Sequence, residues 1–229
     1  MISHKYKCIY IHIPKCAGTS IERAIGHYEN YEGRGWQDQR SITNIERTIA
    51  ATPASLRMDR IKKVLPIGRF RGRSRRNPNN ELVVTKKQYQ EYYKFAIIRN
   101  PWERAFSFYQ GIIRDPIHWR RYNITPECSF AEFLRDYAGK GLLRRQTYWL
   151  KSIDGSINLD FIGRFETLQQ DFGKICNDLN IAEIYLPHIL KGSNTNHLTH
   201  YDEEAIEIIF DSYREEIELF GFTLHSGRE

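Results

Sequence analysis

The chain has 229 residues, with 34 Lys and Arg against 28 Asp and Glu, a net charge of +6, 41% hydrophobic residues and 13% aromatic ones. This composition excludes a disordered or fibrous chain, and the length lets one α/β domain, or two small ones, bury a core without a disulfide or metal staple. No run of 18 apolar residues occurs, which excludes a bilayer-spanning helix.

Cys8, Cys16, Cys128 and Cys176 are scattered without a CxxC pair, which argues against a zinc ribbon and against a secreted disulfide framework. A reducing compartment, the cytoplasm, is the expected location. The N-terminal MISHKYKCIYIHI is broken by His12 and lacks a small-residue cleavage site, so it reads as a first strand and not as a signal peptide.

In chain order, residues Cys8 to Ile13 predict a short strand bounded by Pro14. Ile21, Ala24, Ile25 and Tyr28 repeat at helical spacing. Thr43 with Glu46 predicts a capped helix carrying Ile45 and Ile49. Five arginines then fall between Arg69 and Arg76, so nearly all the net charge is local. Asn77, Pro78, Asn79 and Asn80 follow, and residues from about 66 to 80 read as a basic surface loop, either solvated or in contact with an anionic partner. Phe70 is the one aromatic among those arginines, which speaks against nucleic acid.

Leu82 to Thr85 predicts a short strand, Gln88 to Tyr93 a helical turn or loop, and Phe95 to Ile98 a buried strand ending at Arg99. Pro101 suits the first position of a helix through Trp102, Ala105, Phe106 and Tyr109. Ser129 with Glu132 predicts a second capping box, Ile157 to Phe165 contains a strand, and a helix runs from Leu168 to near Asn180. Asp202 caps a last helix that ends before Gly221. Strands alternating with helices imply an α/β fold, a central and mostly parallel sheet flanked by helices, within a single domain over residues 1–229. Its ligands would lie beyond the carboxyl ends of the strands.

Two of those strand ends carry chemistry. The first leads into Pro14-Lys15-Cys16-Ala17-Gly18-Thr19-Ser20. Small residues at Ala17 and Gly18 let backbone approach an anion, while Lys15, Thr19 and Ser20 add charge and hydroxyl donors. Lysine precedes Gly18 by three residues, so this is not the GxxxxGK[ST] loop of nucleoside triphosphatases. At the second, Arg99 and Ser107 stand eight residues apart, about 12 Å along a continuous helix, so they share an anion only if the chain bends at Asn100-Pro101. Otherwise Arg99 and Arg104 would make surface salt bridges with neighbours such as Glu103.

With IPKCAGTS and FAIIRNPWERAFSFY in this order, the chain resembles sulfotransferases of family 2, the bacterial and Golgi-type carbohydrate enzymes that use 3′-phosphoadenosine 5′-phosphosulfate (PAPS) and no metal. Weaker echoes follow in RRQTYWL, in IGRFETLQQDF and in the C-terminal helix. The resemblance implies a P-loop-like three-layer fold and PAPS as co-substrate. It gives the loop Lys15, Cys16, Ala17, Gly18, Thr19 and Ser20 to the 5′-phosphosulfate, with Lys15 on the leaving phosphate, and Arg99 and Ser107 to the 3′-phosphate. The acceptor would be a hydroxyl of a glycan or glycoconjugate, anionic if the basic loop contacts it.

Relatives carry a histidine base in the stretch that here reads Trp36-Gln37-Asp38-Gln39-Arg40-Ser41, and Gln39 falls at its place. An amide does not accept a proton at neutral pH, so Asp38 is taken as the catalytic base, with His27 and Glu46 as further candidates. A module that keeps the nucleotide pocket and holds an anionic polymer without turnover is the alternative. His197 and His200 are too close for the usual zinc pair, and with His188 they read as loop residues. Trp119, Trp149 and Tyr148 suit either sugar stacking or the core.

Overall fold

The computed structural model describes residues 1–27, 37–50, 79, 81, 83–182, 184–186 and 201–224. The arginine-rich segment from Arg69 to Arg76, Trp36, and His188, His197 and His200 lie outside the described residues.

Among the described residues four strands form one sheet in the order β1 (Ile2–Ser3), β2 (Cys8–Ile11), β3 (Tyr93–Ile98) and β4 (Phe161–Arg164). The β1 strand pairs antiparallel with β2, whereas β2, β3 and β4 are parallel, with Ile11 opposite Ala96 and Ile98 opposite Arg164. The residues of β2 and the last four of β3 are buried, as their unbroken apolar runs require of parallel strands covered on both faces. Parallel pairing brings the carboxyl ends of β2, β3 and β4 to one edge of the sheet.

The helices are α1 (Gly18–Ala24), α2 (Ile42–Ala50), α3 (Lys86–Glu91), α4 (Pro101–Ile113), α5 (Pro116–Tyr122), α6 (Phe130–Tyr137), α7 (Thr147–Leu150), α8 (Leu168–Asp178) and α9 (Glu203–Phe220). The Ser129–Glu132 capping box opens α6. Asp202 caps α9 through the Ala205 N–H at 2.7 Å, and Gly221 closes it at φ 64°, where only glycine is unstrained.

Three local expectations change. Strand β2 ends at Ile11, not Ile13, since the Cys16 N–H already turns back to the Ile13 carbonyl at 3.3 Å. Helix α2 is capped by Ser41, whose Oγ accepts from the Asn44 N–H at 3.2 Å; the Thr43 hydroxyl instead donates to the Lys151 carbonyl. Residues 83–85 are not a strand, because Thr85 commits its hydroxyl to a capping box with Gln88 at the start of α3. Among the described residues no helix is long and apolar enough to cross a membrane.

Candidate functional site

The carboxyl edge of the sheet opens into a cavity of about 390 Å³. From the loop after β2 it is lined by His12, Pro14, Lys15, Ala17, Gly18, Thr19 and Ser20; from β3 and α4 by Arg99, Ser107 and Phe108. Phe165, Leu168 and Gln169 after β4, with Gln37, Gln39, Leu142, Tyr185 and Leu186, complete it. The two separated sequence motifs therefore meet in one space, and Arg99 Nη1 donates to the Lys15 carbonyl at 3.4 Å.

The bend that brings Arg99 and Ser107 together is built by Asn100. Its side chain accepts from the Trp102 N–H at 3.1 Å and caps α4, its Nδ2 donates to the Thr223 carbonyl at 2.8 Å, and its N–H donates to Glu166 Oε1 at 2.7 Å. Pro101 then starts the helix with the φ it already prefers. Lys15 at φ 69° and Ala17 at φ 60° both hold left-handed backbone, a costly conformation for residues with a Cβ, so the loop is locally strained.

The charge in the cavity is one-sided. Among its described lining residues Lys15 and Arg99 are cationic and none is acidic. Burial, and then the nearby Arg99 and Arg114, hold the Lys15 ammonium below the ordinary lysine range. The Arg99 guanidinium lies over the Phe165 ring at 4.0 Å and reaches Glu103 at 3.3 Å, while its buried Nε has no acceptor among the described residues. Thr19 Oγ1 accepts from Gln37 Nε2 at 2.8 Å. An arrangement of this kind can receive a dianion and supplies the hydrogen-bond donors it needs.

Two of the expected site residues turn away from the cavity. Cys16 is fully buried with its Sγ toward the Gln146 side chain and the Pro14 carbonyl, and burial pushes its thiol up to about 12. Asp38, expected as the base, is 1% exposed and gripped by Arg40, with Nε to Oδ1 at 2.8 Å and Nη2 to Oδ2 at 2.6 Å. Burial alone would raise its carboxyl, but the Arg40 guanidinium outweighs that and holds it well below the usual carboxylate range. Such a group neither faces an acceptor nor takes its proton.

The other base candidates are also committed. His27 is fully buried beside Glu22, and Glu46 accepts from the Tyr89 hydroxyl and the Ile153 N–H, both at 2.8 Å. Gln39 does line the cavity. Among the described residues no cluster of three or more potential metal ligands occurs. Trp149 is core, with its indole N–H on the Gln39 carbonyl at 3.2 Å, while Trp119 and Tyr148 do not line the cavity.

Three residues that the sequence did not assign to the site shape this edge. His12 lines the cavity, signalled only as the one polar break in an apolar run. Gln146, in the RRQTYWL segment, bonds both backbone groups of Arg99. Arg104 is 1% exposed and donates to the carbonyls of Pro14, Leu142 and Arg144 at 3.1, 2.9 and 2.9 Å, which replaces the surface salt bridge expected of it.

The sequence matches the model described as "Sulfotransferase family" over residues 1–223. It is 27% identical over 100 residues, 44% of this chain and 78% of the other, to an uncharacterized protein of Archaeoglobus fulgidus. Among solved structures, the sulfotransferase from Alicyclobacillus acidocaldarius aligns over 96% of this chain and 98% of its own, at 15% identity and a TM-score of 0.40.

Proposed function

Because the chain belongs to the sulfotransferase family, we propose that it is a single-domain enzyme that transfers a sulfuryl group from PAPS to a hydroxyl of a glycan or glycoconjugate. The observation that carries this reading is the cavity at the carboxyl edge, where Lys15 and Arg99 face a space with no carboxylate among its described lining residues.

The residues present fit a ligand with two separated anionic groups. Lys15, Gly18, Thr19 and Ser20 would hold the 5′-phosphosulfate; Arg99, whose buried Nε lacks an acceptor among the described residues, would hold the 3′-phosphate with Ser107. PAPS, when bound, supplies the sulfuryl group. Lys15 would neutralise the charge that collects on the leaving oxygen, and it does so best from a buried position where water does not screen it. The left-handed backbone at Lys15 and Ala17 is a conformation that the surrounding contacts must hold, and in this reading it presents the loop to the 5′ group. In this reading the Arg69–Arg76 segment adds affinity for an acceptor that is itself anionic.

Incubation with PAPS carrying labelled sulfate and a panel of neutral and acidic glycans tests the proposal. Label on at least one glycan is expected. Label on none, with intact binding of adenosine 3′,5′-bisphosphate, would leave a nucleotide-binding protein without transferase activity.

A further inference from the structure

His12, one residue past the end of β2, lines the cavity and is 3% exposed. A buried imidazole costs stability unless its nitrogens are engaged. Nδ1 lies 2.8 Å from Oε1 of Glu22, which is itself fully buried. On its other side Glu22 Oε2 lies 4.0 Å from Nε2 of His27, beyond hydrogen-bond distance, so the Glu22 hydrogen bond that bears on His12 is the one to Nδ1. Burial alone would raise the Glu22 carboxyl, but the charge and hydrogen bond of His12 hold it below the ordinary carboxylate range.

Gly18 and Glu22 are four residues apart on α1 and so share one face of it. The ring of His12 fits against both. At residue 18 the fit is so close that an added Cβ would lie 2.0 Å from Nε2, 2.2 Å from Cε1 and 2.4 Å from Cδ2. The ring that would have to move is the one hydrogen-bonded to Glu22 through Nδ1. Gly18 itself is required here by space.

Resting on the sulfuryl-transfer reading above, we propose that His12 is a positioning residue for the phosphosulfate. Pinned by Glu22, its imidazole occupies the volume a side chain at residue 18 would take, and so sets how deep the Lys15–Ser20 loop sits in the cavity. In this role it acts through the loop and not on the reacting atoms.

A double-mutant cycle tests this, read by calorimetric titration of adenosine 3′,5′-bisphosphate. His12→Asn keeps a donor near the Nδ1 position and removes the ring; Gly18→Ala adds the methyl group. In the wild-type background Gly18→Ala should weaken binding by at least about tenfold, and in the His12→Asn background by less than about threefold, because the clash is gone. His12→Asn alone should weaken binding several-fold. Equal cost of Gly18→Ala in both backgrounds would overturn the proposal, as would wild-type affinity in His12→Asn. So would a variant whose kcat falls on a glycan acceptor while its affinity is unchanged, since His12 would then act in the chemical step.

If His12→Asn gives no melting transition, Glu22→Gln, which keeps the shape but not the charge, takes its place. Weakened bisphosphate binding by a folded protein is expected, and wild-type affinity would count against the clamp. Should the wild type not bind the bisphosphate at all, the cofactor assignment fails and not the clamp. The same cycle read by melting temperature then decides: non-additive shifts support the His12–Gly18 contact, additive shifts overturn it.

Discussion

Gln146 and Arg99 face each other as two residues of a sheet would. The Arg99 N–H donates to Gln146 Oε1 at 2.8 Å and Gln146 Nε2 donates to the Arg99 carbonyl at 2.7 Å. A buried side-chain amide thus continues the ladder beside β3 where β2 has already ended, and Glu216, fully buried on α9, accepts from both the backbone N–H and Nε2 of Gln146. The direction in which the Arg99 side chain leaves the sheet is set from outside its own strand.

Replacing Gln146 by Leu keeps the volume, orphans the Arg99 backbone groups and takes the side-chain donor away from Oε1 of Glu216, whose Oε2 keeps the backbone N–H of residue 146. Each unsatisfied buried group costs about 1–3 kcal/mol. We expect a fall in melting temperature of about 5 °C or more and a weaker hold on adenosine 3′,5′-bisphosphate. An unchanged melting temperature would show that the amide is dispensable.

Arg104 ties the loop after β2 to the 142–144 segment through three carbonyls while its guanidinium lies 5.4 Å over the Trp149 ring. Lysine offers a point charge on a flexible stem and does not reproduce that fork. Arg104→Lys should therefore destabilise the protein by roughly 3 kcal/mol, measured as a shift of the denaturant midpoint at constant slope.

Much of this was legible in the sequence, and the reasons for the rest are specific. Period and capping residues placed α4, α6 and α9, and the two motifs that line the cavity were visible because Lys15 lies in the turn after β2 and Arg99 directly follows β3. Residues 37 to 41 form neither helix nor strand, and there the cavity takes Gln37 and Gln39 while the intervening Asp38 and the following Arg40 are buried. Direction of this kind is set by tertiary contacts and not by spacing from a motif. Arg104 and Gln146 were hidden for a different reason: Arg104 bonds backbone carbonyls, and Gln146 bonds the backbone of Arg99 and a carboxylate 70 residues away, which leave no local mark on the sequence.

The Lys15 ammonium is held below its ordinary value of 10.5, chiefly by burial and then by Arg99 and Arg114. Only the cationic form attracts an anion, so bisphosphate affinity should fall as pH rises through a value below 10.5. Lys15→Arg, which stays charged, should carry binding to higher pH. Calorimetric titrations between pH 7 and about 10 check this; affinity in the wild type that is flat across that range would contradict it.

Asp38 has its folded-state value depressed below the ordinary 3.8, so its contribution to stability is present above that value and lost as pH falls below it. Asp38→Asn should melt at lower temperature than the wild type at pH 7, because Arg40 is left without its bidentate partner. The gap should narrow as pH falls below about 4. Melting curves from pH 7 to about 3 test the sign, and a gap that widens on acidification would contradict it.

In the proposed function Arg99 and Lys15 together hold a doubly anionic nucleotide. Calorimetric titration of adenosine 3′,5′-bisphosphate into wild-type and Arg99→Ala protein tests it most directly. We expect saturable one-to-one binding by the wild type, weakened by at least about tenfold in Arg99→Ala at unchanged stoichiometry. Equal affinity in the two proteins, or no binding by the wild type, would contradict it.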